Sequence, residues 1–260
     1  MTDVPSLDVL RKALSLVFPV EGGIVVGAGS GLGLEDFSAA PSLLAIDARP
    51  ECIDALQRRF SDWAGLTAVQ AVIACKSGEA VFHFANNPAE SALISPAGLQ
   101  PIWRNLSERS VENLETLALT DLLDRIKLAS DFRYNWLLVD CLPATSILEG
   151  AVQLLECVDV LELRCVCDDV ILAAHDASLS SAVRLLEAHG FRLLVQYEET
   201  HPLLCKAIFC RDAKKLADEL TARIEMLTQA KSAAEMLAAE YAQSLEARDK
   251  GTAINVGSDV

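Results

Sequence analysis

Apolar and polar positions along this chain alternate between two rhythms. Residues 6–17 place Leu7, Val9, Leu10, Ala13, Leu14 and Val17 at helical spacing and predict an amphipathic lead-in helix. Ile24-Val25-Val26 is a short, wholly apolar run that leads into the glycine cluster of residues 27–33. Leu43-Leu44-Ala45-Ile46 is a second such run and ends at Asp47. Residues 51–63 then carry Ile53, Leu56 and Phe60 on one helical face. Strand-like runs recur at residues 66–74 and 80–84, before a polar stretch over 86–110 that holds Pro88, Pro96 and Pro101. A helix is expected over 120–129, with Thr120 or Asp121 near its cap.

The second half repeats the pattern. Trp136-Leu137-Leu138-Val139 is an apolar strand ending at Asp140, residues 147–155 read as a helix, and 158–163 as another strand. Residues 178–189 form a helix closed by Gly190, a C-cap residue. Residues 191–197 and 203–209 are two strands separated by Glu198-Glu199-Thr200-His201-Pro202. Short runs with no polar face need cover on both sides, and helices alternate with them. The expected class is therefore α/β, a doubly wound, mostly parallel seven-stranded sheet with an antiparallel hairpin at one edge.

The rhythm changes over residues 212–250, which contain no Gly or Pro. Leu216, Leu220, Ile224, Leu227, Ala234, Leu237, Tyr241 and Leu245 recur at three- and four-residue steps, a long C-terminal α-helix of roughly 57 Å. Leu220, Leu227, Ala234 and Tyr241 share one heptad core position, while Arg223 and Ser244 fall at the other, so a two-stranded seam is imperfect. Self-association or partner binding through this helix is expected, with a helix folded back on the domain as the alternative. The resulting organisation is a lead-in helix in 1–20, a main domain in 21–211, the helix in 212–250 and a loose tail in 251–260.

Composition narrows the function classes. Lys and Arg total 22 against 37 Asp and Glu, a net charge of −15. A surface so acidic repels phosphate backbones and anionic lipids, which argues against nucleic acid as a partner. No run approaches the ~18 uncharged apolar residues of a membrane span. Met1-Thr2-Asp3-Val4-Pro5 lacks the basic start of a secretory leader, and none of the eight cysteines forms a Cys-x-x-Cys pair. Buried, reduced thiols are expected, and a cytoplasmic location with them.

The sharpest chemical signal is Gly27-Ala28-Gly29-Ser30-Gly31 directly after an apolar strand and before a predicted helix. Glycines there let the backbone turn tightly and let a ligand approach it. Asp47, at the end of the next strand, can accept hydrogen bonds from two ribose hydroxyls. Together they predict a nucleoside-binding pair. Nicotinamide dinucleotides and S-adenosyl-L-methionine both use such a pair. Gly33 falls one residue late for the pyrophosphate pattern Gly-x-Gly-x-x-Gly, and the edge hairpin closes a methyltransferase-like sheet, so the methyl donor is preferred.

Across residues 20–211 the chain resembles the FkbM-type S-adenosylmethionine-dependent methyltransferases, whose fold is class I and Rossmann-like. The resemblance rests on Val26-Gly27-Ala28-Gly29-Ser30-Gly31, Asp47, Ala71-Val72-Ile73-Ala74 with Ser77-Gly78-Glu79-Ala80-Val81-Phe82, residues 117–123, Leu137-Leu138-Val139-Asp140 with Ile147-Leu148-Glu149-Gly150-Ala151, and Val160-Leu161-Glu162-Leu163. It implies methyl transfer, often to a hydroxyl of a sugar, glycan or secondary metabolite, and hence a small-molecule or glycan acceptor. The chain departs from the family pattern at Val25, where an acid is usual. It departs again after Asp140, where Cys141-Leu142-Pro143-Ala144-Thr145-Ser146 replaces a short acidic stretch. These departures keep open a catalytically degenerate scaffold acting through its C-terminal helix. A nicotinamide-dependent oxidoreductase is a third reading.

By position, Gly27, Ala28, Gly29 and Gly31 are expected to line the methionine end of the donor, Asp47 the ribose, Gln70 and Ala71 the adenine, with Asp140 facing the same cleft. Gly29→Val should then block the pocket. Asp140 and His175 are candidates for the base that a hydroxyl acceptor needs, whereas His83, His189 and His201 read as structural. No metal is assigned; the weaker alternative is an oxygen-lined Mg²⁺ site at Asp140, Asp168 and Asp169. The proline-bearing stretch 86–110 is the expected acceptor-facing lid, offering Ser91, Trp103 and Arg104.

Overall fold

A computed structural model describes residues 6–126 and 133–213, together with residues 226, 229, 231–232 and 235–237. The chain divides into two units, Met1–Arg211 and Asp212–Val260. In the second unit the described positions of 226–237 are helical, and Lys231 pairs with Glu235 one turn on, at 3.9 Å. The expected continuous helix, its heptad seam and the tail otherwise lie outside the described residues. No helix among the described residues is long and apolar enough to cross a membrane.

Among the described residues the first unit has ten strands: β1 Gly23–Val26, β2 Leu43–Asp47, β3 Leu66–Gln70, β4 Val72–Ile73, β5 Gly78–Ala85, β6 Glu108–Leu117, β7 Trp136–Val139, β8 Val160–Val166, β9 Phe191–Glu198 and β10 Leu204–Arg211. Seven of them form one sheet in the order β3-β2-β1-β7-β8-β10-β9. β10 is antiparallel to both its neighbours, and the remaining pairs are parallel. This is the expected mostly parallel seven-stranded sheet with its antiparallel edge.

Strand residues alternate between two covered faces because side chains switch sides at every step. Ile24, Val26, Leu44, Ile46, Leu137 and Val139 pack under α4 (Leu119–Ile126), α5 (Ala144–Glu149), α6 (Val152–Leu155) and α7 (Leu179–Ala188). Val25, Leu43, Ala45 and Leu138 face α1 (Leu7–Val17) and α2 (Pro50–Arg59) instead. The chain between α1 and β1 is tied down by Asn135, which is 1% exposed. Its Oδ1 accepts from the Glu21 amide at 2.9 Å, and its Nδ2 donates to the Pro19 carbonyl at 2.9 Å.

Three local features differ from the sequence reading. The polar stretch after β5 is an excursion that carries a short helix, α3 (Pro96–Leu99), and returns through β6. Together β4, β6 and β5 make a second, three-stranded sheet. Residues 147–155 form two helices, α5 and α6, separated at Gly150. A side chain at Gly150 would sit 2.7 Å from the Ala74 carbonyl oxygen and 2.8 Å from that of Cys75, so glycine lets the chain approach the turn after β4. Finally, the glycine cluster leads into a single 3-10 turn, Leu34–Phe37, in place of an α-helix. Gly27, Gly29, Gly31 and Gly33 all have left-handed backbones, which postpones any helical turn until Leu34.

Burial sorts the eight cysteines. Cys75, Cys157 and Cys167 are exposed, Cys141 is half-buried and the others are buried. Burial pushes the Cys52 thiol from its ordinary 9.0 up to about 11, and Cys141 and Cys165 up to about 12. A folded pKa above the unfolded one stabilises the fold below the unfolded value, and that contribution is lost as pH rises through the folded one. Native protein at about pH 8 is therefore expected to lose Cys75, Cys157 and Cys167 first to a thiol reagent. Its urea midpoint should fall as pH climbs from 9.0 towards about 12. Equal labelling rates at all eight positions would contradict the burial pattern.

Candidate functional site

Order in the large sheet runs outward from β1 through β2 in one direction and from β7 through β8 in the other. The loops leaving β1 and β7 therefore diverge, and a crevice opens beyond the strand carboxyl ends. The space it leaves for a water-sized sphere is about 90 Å³, less than the ~300–1,000 Å³ of drug-sized pockets. Its floor is Val26, Gly27, Asp140 and Cys141. One side is Asp47, Ala48, Arg49, Ala71, Val72 and Ile73, and the other is Leu142, Pro143, Ser146 and Ile147. Phe82 of β5 and Ala89 and Ser91 from the excursion close part of the mouth.

The floor is held by main-chain bonds. The amides of Gly27 and Ala28 both donate to the Ile46 carbonyl, at 2.9 and 3.0 Å, and the Asp140 amide donates to the Val26 carbonyl at 2.9 Å. A side chain at Gly27 would lie 3.1 Å from the Asp140 carbonyl oxygen and 3.2 Å from Cys141 Cβ. Glycine there lets the two chains lie close at the cleft floor before they part.

The other two glycines do different work. Gly31 faces α2, where a side chain would come within 2.7 Å of Leu56 and Phe60 atoms, and it does not line the cleft. A side chain at Gly29 would meet open space, so Gly29→Val would strain a left-handed backbone without filling the cleft. What Gly29 contributes is its amide.

Asp47 is 6% exposed, and its carboxylate accepts three hydrogen bonds from N–H groups. Oδ2 accepts from the Gly29 amide at 2.8 Å. Oδ1 accepts from the Arg49 amide at 3.0 Å and from Arg49 Nε at 3.2 Å. Ala71 follows directly, its amide donating to the Asp47 carbonyl at 3.1 Å, and it lines the cleft. Gln70 does not line it; its Nε2 donates to the Ala48 carbonyl at 3.3 Å.

Asp140 is 46% exposed, and its Oδ2 lies 3.3 Å from Lys206 Nζ on β10. Lys206 is also 3.6 Å from Glu162 Oε1, and Glu162 accepts from Arg11 Nε and Nη2 at 2.9 and 2.8 Å. Arg11 reaches Asp36 at 3.0 Å. Burial works against the charge on Arg11, but Glu162 and Asp36 outweigh it and hold the guanidinium protonated more firmly than usual. A file of alternating charges thus runs from α1 to the cleft. It borders a second recess lined by Arg11, Ala28, Glu162, Arg164 and Lys206, which shares Gly27 and Asp140 with the first.

The remaining expected residues are elsewhere. His175 is exposed on the 3-10 turn Ala173–His175 and lines neither recess. His83 pairs with Glu108 at 2.6 Å, His201 accepts the Leu203 amide in the hairpin turn, and His189 ends α7. Asp168 accepts the amides of Val170 and Ile171, and Asp169 bonds Ser180, so neither joins Asp140. Among the described residues no three His, Cys, Asp or Glu side chains gather as a metal site. The Mg²⁺ alternative therefore has no ligand cluster.

In the lid, Ser91 lines the cleft, while Trp103 lies under the Arg164 guanidinium at 5.4 Å and Arg104 is exposed outside the cleft. Arg164 pairs with Glu90 at 3.3 Å and with Glu199 at 3.2 Å, fastening the excursion to the edge hairpin. Burial raises the Glu90 carboxyl pKa above its usual value, with Arg164 opposing. The sequence reading missed Arg11, Arg49, Glu162, Arg164 and Lys206. The available signal was Leu161-Glu162-Leu163-Arg164, charges inside an apolar strand, which calls for buried partners.

No family model matches the chain, and no curated protein is significantly similar to it. Among solved structures, it is similar to the N-methyltransferase NodS from Bradyrhizobium japonicum WM9 in complex with S-adenosyl-L-homocysteine. Identity is 15% and the TM-score 0.45, over 78% of this chain and 85% of that one. Magnesium protoporphyrin IX methyltransferase from Synechocystis PCC 6803, with bound S-adenosylhomocysteine, is 11% identical at a TM-score of 0.43, over 78% and 80%. EvdMO1 is 12% identical at a TM-score of 0.43, and this chain spans only 40% of its length.

Proposed function

We propose that this chain is an S-adenosyl-L-methionine-dependent methyltransferase acting on a hydroxyl of a sugar, glycan or secondary metabolite. The observation that carries the reading is the nearly buried Asp47 carboxylate, set beside Gly27 on an apolar-walled cleft at the strand-order reversal. Asp47 binds the ribose. Ala71, Val72 and Leu142 supply apolar walls for a base, and Gly27 and Ala28 leave room for the methionine chain. The donor, when bound, supplies an activated methyl group.

The protein's part is alignment, because an in-line displacement gains most from holding the reacting atoms at the right distance and angle. Asp140 is the ionisable carboxylate at the junction of the two recesses, and in this reading it takes the acceptor's proton. Lys206 holds it in place.

Calorimetric titration tests the donor assignment. S-adenosylmethionine and S-adenosylhomocysteine are expected to bind and NAD is not. Binding of NAD alone would replace this reading with an oxidoreductase, and binding of none of them would leave the non-catalytic scaffold. Transfer of a labelled methyl group to a panel of hydroxyl acceptors then tests the reaction itself.

A further inference from the structure

Asp47 shows a conflict between what it already holds and what it is asked to hold. A carboxylate offers about four lone-pair positions, two on each oxygen. Oδ1 uses both of its own on Arg49, one on the amide at 3.0 Å and one on Nε at 3.2 Å. Oδ2 uses one on Gly29 at 2.8 Å, and the Cys52 thiol also bonds this carboxylate, so at most one position is left. A vicinal diol gripping both oxygens needs two. One present donor must therefore leave.

The three N–H donors are not equally free to go. The Gly29 amide is fixed in a loop whose neighbouring amides are bonded to β2. The Arg49 amide is fixed too, since Arg49 is the N-cap of α2 and its carbonyl accepts from the Cys52 amide at 3.1 Å. The Arg49 side chain can rotate. Its Nε bond is long for a cation and an anion, which ordinarily close to about 2.7–2.9 Å. Asp47 is the only carboxylate that Arg49 pairs with among the described residues, and Arg49 lines the cleft.

We propose that Arg49 is a stand-in for one ribose hydroxyl. In the arrangement above its guanidinium neutralises a nearly buried carboxylate and keeps it beside the cleft. When the nucleoside enters, the Nε–H bond to Oδ1 breaks and one ribose O–H donates there instead. The second O–H takes the remaining position on Oδ2, and the guanidinium turns towards the cleft mouth. One hydrogen bond is exchanged and one is added, with no change of protonation. Arg49 thereby acts as a specificity residue, since only a ligand with both hydroxyls free recovers the bond that is lost. The inference rests on the donor reading above.

The test is calorimetry of the full chain with S-adenosylhomocysteine and with its 2′-deoxy and 3′-deoxy analogues. It compares wild type, Arg49→Ala and the longer Arg49→Gln, each first shown to unfold cooperatively. Arg49→Ala is expected to bind S-adenosylhomocysteine roughly three- to tenfold more tightly than wild type, the scale of one competing hydrogen bond. The gain should be much smaller for the analogue lacking the hydroxyl that replaces Nε, and Arg49→Gln should fall between. Weaker binding by both variants would mean that Arg49 holds the ligand or orients Asp47, and would overturn the proposal. So would an equal gain for all three ligands, or no change. If wild type itself fails to bind S-adenosylhomocysteine, the donor reading falls and this inference with it. Wild-type binding with no gain in the variants removes this inference alone.

Discussion

Asp47→Asn protein is expected to bind S-adenosylhomocysteine roughly 10- to 100-fold more weakly than wild type, the equivalent of losing one charge-assisted hydrogen bond of about 1.5–3 kcal/mol. The substitution keeps the shape and removes the charge. An asparagine has one acceptor oxygen and one amide nitrogen, so whichever way it turns, an N–H group faces a donor. With the oxygen on Gly29, the NH₂ opposes the two Arg49 donors; with the oxygen on Arg49, it opposes the Gly29 amide. The ribose then meets a site with a donor where an acceptor belongs. Calorimetry at fixed ionic strength measures the loss, and a parallel thermal melt separates it from unfolding. Unchanged affinity in a folded Asp47→Asn protein would remove Asp47 from the donor site.

The second large effect concerns stability. Glu162→Ala is expected to destabilise the first unit by about 2–4 kcal/mol, below the usual ceiling for a broken buried pair because Lys206 is a quarter exposed. Glu162 is 6% exposed on β8 and is the acid between Arg11 and Lys206. Removing it leaves the Arg11 guanidinium, 10% exposed, with Asp36 as its remaining anion. In a unit of this size each kcal/mol moves the melting temperature by about 2–4 °C, so a fall of roughly 4–16 °C is anticipated. Arg11→Met combined with Glu162→Leu should recover much of the loss, since an apolar pair of similar volume replaces both charges. If Glu162→Ala leaves the urea midpoint where it was, the file of charges contributes nothing to the fold.

Much of the architecture was legible because it is written in local rhythm. β7 is four apolar residues between Asn135 and Asp140, a length and flanks that fit a strand covered on both faces, and all four are buried. The edge hairpin was legible from two apolar runs about a polar turn. β6 was not, because Glu108-Arg109-Ser110-Val111-Glu112-Asn113 lies on an exposed face of the small sheet and carries no apolar alternation. Its pairing with β5 supplies what the pattern lacks.

At the site, strand ends were predictable to the residue for Asp47, Ala71 and Asp140, all of which reach the cleft. Gln70 misses it by one position, since neighbouring strand residues point to opposite sides. Ion pairs are a different matter. Arg11 and Glu162 are 151 residues apart, and no spacing rule connects them. Nor does anything in Ala48-Arg49-Pro50 announce that the arginine turns back onto the aspartate two residues before it.

The partnership between α1 and β8 changes where this protein can be cut. The change of rhythm near residue 20 invites a boundary there, and a polypeptide beginning at Glu21 would keep every strand and both recess floors. It would also lose Arg11, the Pro19 carbonyl that Asn135 binds and the Phe18 carbonyl that receives the Trp136 indole N–H at 3.1 Å. Glu162 would keep only Lys206, Asn135 would lose one of its bonds, and the Trp136 indole would lose its acceptor. The lead-in helix is thus part of the sheet's cover, and a chain trimmed at Glu21 is expected to melt at a lower temperature than the full one.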